Sequence, residues 1–120
     1  INVFITAVVM GDEDLENENV VKIKGLQPDF FDLETNLVRF VPMFKKVNRS
    51  DRVISDLEKL IAIDSSNIQY YSSLAIQYAE LGQNKKAEEV ISIMLGVDPA
   101  LDEKINDFIK KLYNGSLINN

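Results

Sequence analysis

Residues 68–101 read IQYYSSLAIQYAELGQNKKAEEVISIMLGVDPAL, and this stretch decides the fold. Tyr71, Leu74, Ala75 and Tyr78 recur at the spacing of one face of an α-helix. Gly82 follows where a helix needs a residue that tolerates a left-handed backbone. Asn84 can cap a second helix carrying Ala87, Val90, Ile91 and Met94. That helix ends near Gly96, and Asp98-Pro99 breaks the chain. The segment therefore predicts two helices joined by a tight turn.

The same frame lies 34 residues upstream. Leu37, Phe40, Val41 and Phe44 occupy the first-helix positions, and Val53, Leu57 and Leu60 occupy the second. Asn48 stands where the later copy has Gly82, and Asp64 matches Asp98. Asn is the non-glycine residue that best tolerates a left-handed turn. Ser50 or Asp51 can cap the second helix, and Asp64-Ser65-Ser66-Asn67 forms the next turn and cap. Upstream of these, Pro28 suits a first helical turn, with Asp29 and Asp32 complementing its positive end. Downstream, Ile105, Phe108, Ile109 and Leu112 start a third copy in register before the chain ends. One departure is Pro42, inside the first helix of the upstream copy. It removes a backbone donor and predicts a kink near Arg39–Val41 or a split helix.

This pattern resembles the tetratricopeptide repeat. That family has a large residue, Leu, a small residue and Tyr on its first helix, Gly in the turn, Ala and two large apolar residues on its second, and Pro at the exit. The resemblance implies a mainly α protein, a short right-handed helical repeat with units at 34–67 and 68–101 and a capping helix at 102–114. Together with residues 27–33 these form a helical domain over 27–115. Small Ala75 and Ala87 would let the paired helices approach closely.

Such repeats use the concave face of their first helices for ligands. The matching positions here are Val38, Arg39, Lys45 and Lys46, with Thr35 and Pro42 beside them, in the first repeat. In the second they are Gln69, Ser72, Ile76, Ala79 and Glu80, with Ser73. On the cap helix they are Asn106 and Lys110, with Glu103 and Asp107. The members that grip chaperone tails use a Lys and Asn carboxylate clamp. Val38, Pro42, Ser73 and Asp107 stand at those positions, so that reading is rejected.

Composition agrees with an interaction module. The chain has 120 residues, with 46% apolar and 27% charged, which suits one globular domain. It has no Cys and no His. Disulfides, iron–sulfur clusters, Cys or His zinc sites and Ser-His or Cys-His nucleophiles are therefore excluded. No cofactor or metal is expected, and the chain reads as a non-enzyme. A pI near 4.6 argues against nucleic acid as a partner.

Charge is uneven. Residues 1–32 carry net −5 of the total −6. Within them Asp12, Asp14, Glu16 and Glu18 alternate like calcium ligands, but Asn17 and Ile23 stand where an EF-hand needs Gly and Glu, so an acidic loop is the reading. Arg39, Lys45, Lys46, Arg49 and Arg52 form the basic cluster. It suits an acidic peptide, lipid head groups, a plain solvated helix end, or the acidic segment of its own chain.

Residues 1–26 lie outside the repeats. Ile1–Met10 is apolar and rich in β-branched residues, and Val20–Lys24 alternates, so an irregular or short-strand segment is expected. The apolar run is half the length of a membrane span, so direct membrane insertion by this chain is not expected. It also reads as the trimmed end of a membrane helix. The chain opens on Ile rather than Met, as a piece of a longer protein would.

The leading expectation is a non-catalytic protein-protein interaction or scaffolding module with a protein or peptide partner. The alternative is an accessory extracytoplasmic repeat domain of a membrane-embedded polysaccharide polymerase or ligase. Cytoplasmic and membrane-tethered placements both fit. A third reading is a homo-oligomer, in which residues 1–24 add a strand to a neighbour.

Overall fold

The computed structural model describes residues 2–113 and is mainly helical, with no strand among the described residues. Its seven α-helices are α1 (Asn2–Met10), α2 (Glu13–Leu26), α3 (Glu34–Lys46), α4 (Ser50–Ile63), α5 (Ile68–Glu80), α6 (Asn84–Val97) and α7 (Asp102–Tyr113). Short 3₁₀ turns, Phe30–Asp32 and Pro99–Leu101, precede α3 and α7. The chain forms two compact units, 1–59 and 60–120, with the boundary inside α4.

Helix bounds repeat at 34 residues. α3, α5 and α7 start at 34, 68 and 102, and α4 and α6 start at 50 and 84. Their ends keep the same offset, at 46 and 80 for α3 and α5 and at 63 and 97 for α4 and α6. Gln83 rather than Asn84 precedes α6, and its side chain makes no capping bond.

The N-terminal segment differs from expectation, because residues 2–26 are two helices rather than strands. α1 buries Phe4, Ala7 and Val8, which share one helical face. Strand propensity is a weak and context-dependent preference, and burial of Phe4 among other rings overrides it. The expected acidic loop is the start of α2. The Asp12 carboxylate accepts the Leu15 N–H at 3.0 Å, and Glu13, Asp14 and Glu16 lie in the first turn. All four acids face the positive end of the helix dipole.

Three turns close helix pairs in the same way. Gly11, Asn48 and Gly82 have φ of 74°, 60° and 75°. The next residue in each case donates its N–H to a carbonyl five back: Asp12 to Ala7, Arg49 to Phe44 and Gln83 to Tyr78, each at 2.9 Å. These are Schellman turns. The sequence frame anticipates two of them, and the Gly11 turn makes α1–α2 a third helix pair. A Cβ on Gly82 would meet nothing within 4 Å, so only backbone strain opposes it. Gly82→Ala should therefore lower stability by about 1–2 kcal/mol, and Asn48→Gly should leave it level or raise it. Urea midpoints of the two variants check this.

In unit 1 the core is aromatic. Phe40 lies 5.5 Å from Phe4, 5.9 Å from Phe31 and 6.3 Å from Phe44, centroid to centroid. Leu37, Val53 and Leu57 complete it. α3 is a single helix through Pro42, not two. The carbonyl that Pro42 cannot serve belongs to Val38, on the exposed side of the helix, where water can take it.

In unit 2, α5 packs on α6, and Ala75 and Ala87 are fully buried. Asn67 caps α5 through the Gln69 N–H, and the Tyr71 hydroxyl donates to the Ser65 carbonyl at 2.8 Å. Asp98 accepts the Ala100 N–H and starts the turn into α7. Ile105 and Leu112 anchor α7.

Candidate functional site

The groove positions divide between the two units. On α3, Leu37, Phe40 and Phe44 are buried, while Val38, Arg39, Pro42, Lys45 and Lys46 are exposed along the other side. This gives one basic stripe with an apolar residue in it. In unit 2, Gln69 and Glu80 are exposed on α5, and Ser72, Ile76 and Ala79 are half-buried. The Ser72 hydroxyl donates to the Ile68 carbonyl at 3.1 Å, so its own helix holds it. Asn106 and Lys110 are exposed on α7. Asn106 lines a cleft of about 280 Å³ between α6 and α7, with Ile105, Ile109, Ile91 and Leu95 as its apolar wall and Glu88, Ser92 and Asp102 at its polar edge.

The basic cluster separates into two groups. Arg39, Lys45 and Lys46 face solvent, whereas Arg49 and Arg52 turn inward and hold Glu16. The Glu16 side chain is 7% exposed; Arg49 reaches its Oε1 at 3.1 Å and Arg52 its Oε2 at 3.8 Å. Both guanidiniums lie over the Phe44 ring, Arg52 at 4.5 Å and Arg49 at 5.7 Å from the centroid. The acidic segment thus meets the basic cluster of its own chain. One carboxylate neutralises two cations, and the ring face adds a cation–π contact.

Two buried acids were not picked out as inward-facing from the sequence, although their positions carried a signal. Glu16 shares the inward face of α2 with Asn19, Val20 and Ile23, and Asp56 falls between Val53, Leu57 and Leu60. Asp56 is buried, and its Oδ2 accepts no hydrogen bond. Burial pushes the Asp56 carboxyl above its ordinary 3.8, and the nearby Arg52 and Lys59 offset only part of that. At the surface, Asp32 takes a 2.8 Å hydrogen bond from Lys59, which holds its carboxyl below the usual range.

The folded state therefore favours protonated Asp56. The stability this confers is full below pH 3.8 and is lost as pH rises through the raised value. Asp56→Asn should then melt higher than wild type at pH 7, and the gap should close as pH falls toward 4. Melting temperatures at several pH values test this.

None of these groups forms a nucleophile with a base. Among the described residues no cluster of three or more acids is placed to hold a metal ion, and no helix is long and apolar enough to cross a membrane. No family model matches the chain, and no solved structure matches it. The chemistry that remains on the surface is recognition: a basic stripe on α3 and short polar and apolar side chains on α5 and α7.

Proposed function

We propose that this protein is a tetratricopeptide-like interaction module that binds or scaffolds another protein through the exposed faces of its first helices. The observation that carries this reading is the 34-residue recurrence of helix bounds together with the Asn48 and Gly82 turns. A repeat of that period stacks helix pairs and leaves one side of each first helix for a ligand.

The two faces suit different parts of a partner. Val38, Arg39, Lys45 and Lys46 on α3 suit an acidic segment with an apolar residue beside the charge. On α5, Ile76 and Ala79 offer apolar contact, while Gln69, Ser72 and Glu80 offer hydrogen bonds. Asn106 and Lys110 on α7 add an amide and a cation.

The test reverses the basic stripe with Arg39→Glu, Lys45→Glu and Lys46→Glu together and quantifies captured proteins by mass spectrometry. The expected result is at least tenfold lower recovery of specific partners, with an unchanged circular dichroism spectrum. Unchanged recovery would reject the α3 face. The same assay with Gln69→Ala and Ile76→Asp addresses α5.

A further inference from the structure

We propose that the outward side of α1 is a second docking surface, separate from the first-helix faces, and that it takes a basic amphipathic helix of a partner protein. α1 contains no charged residue. Phe4, Ala7 and Val8 point into unit 1, while Val3, Val9 and Met10 are 51%, 59% and 72% exposed. With Thr6 they form one uncharged stripe at i, i+3 and i+7. Repeat arrays end in polar outer faces when nothing covers them, and α1 lacks one.

The chain itself shows what covers such a helix pair. In unit 2 the α5–α6 pair, closed by the same turn as α1–α2, is covered by one amphipathic helix, α7, through its apolar positions Ile105 and Leu112. Charge then selects the kind of helix that suits α1. The α1 stripe runs directly into exposed Asp12, Glu13 and Asp14, and residues 1–32 carry net −5. A second copy would set this negative field against itself. A helix with Leu-type anchors and flanking Lys or Arg meets both the apolar stripe and the acids.

The probe is an 18-residue peptide with Leu at i, i+3, i+4 and i+7 and Lys elsewhere, titrated into the full chain and followed by amide chemical shifts. Its control carries Glu in place of each Lys. The Lys peptide should shift Val3, Thr6, Val9, Met10 and Asp14, and the Glu peptide should not. Val9→Asp with Met10→Asp should weaken binding at least tenfold while the free protein's spectrum keeps its helical pattern. Glu13→Lys with Asp14→Lys, which leaves the apolar stripe intact, should weaken it severalfold. Four outcomes would overturn the proposal: no binding, shifts confined to other helices, equal binding of both peptides, or self-association through α1 in sedimentation without peptide.

Discussion

Phe40→Ala should cost about 3–5 kcal/mol, the range for removing a buried aromatic ring. Phe40 is 2% exposed, and its ring touches those of Phe4, Phe30, Phe31 and Phe44 at centroid distances of 5.5–6.3 Å. These residues come from α1, the 3₁₀ turn and α3, so one truncation opens a void shared by three elements. The ring positions fill at native density only together, so collapse around the void recovers little. Domains of this size have about 5–15 kcal/mol in total, so the variant loses a third or more. Phe40→Leu keeps most of the volume and should cost about 1.5 kcal/mol or less. Urea unfolding of both variants separates a ring that packs from one that only shields.

Glu16→Ala is the second large effect, about 2–3 kcal/mol. Removing one member of a fully buried pair costs about 3–5 kcal/mol. The value here is reduced because Arg49 and Arg52 are still 32% and 29% exposed and water can reach them. The cost comes from charge rather than size. Five residues after each closing turn stand Glu16, Val53 and Ala87, so Ala already fits that register in α6. Glu16→Ala leaves two cations against the Phe44 ring with no counter-charge. If that is the mechanism, Glu16→Leu combined with Arg49→Met should be more stable than Glu16→Leu alone. A double variant no better than the single would assign the loss to packing.

Legibility in the sequence followed the balance between local and long-range terms. In 68–101 every apolar position read from the 3.6 period is buried or half-buried, and Gly82 has its positive φ. There the pattern, the small residues and the turn all point to one structure. α1 was misread because nine residues of Asn, Val, Phe, Ile, Thr, Ala and Met suit a strand or a helix about equally. Phe31 and Phe40, far along the chain, decide between them by packing on Phe4. The Gly11 turn lies 37 rather than 34 residues before Asn48, so a fixed offset passes over it. The α3 surface was legible, since Val38, Arg39, Lys45 and Lys46 fall opposite the apolar face. The inward turn of Arg49 and Arg52 was not, because a basic residue at a helix start looks the same whether it meets water or a buried carboxylate.

The central claim is that one chain builds three helix pairs closed by the same left-handed turn, at Gly11, Asn48 and Gly82. Backbone NMR of the full chain tests it most directly. The expected result is helical Cα shifts across 2–10 and 13–26, a positive φ at Asn48, and slow amide exchange at Asp12, Arg49 and Gln83, the three donors that close the turns. Extended-strand shifts across 3–9 and 20–24, or free exchange at Asp12 while Arg49 and Gln83 are protected, would contradict it.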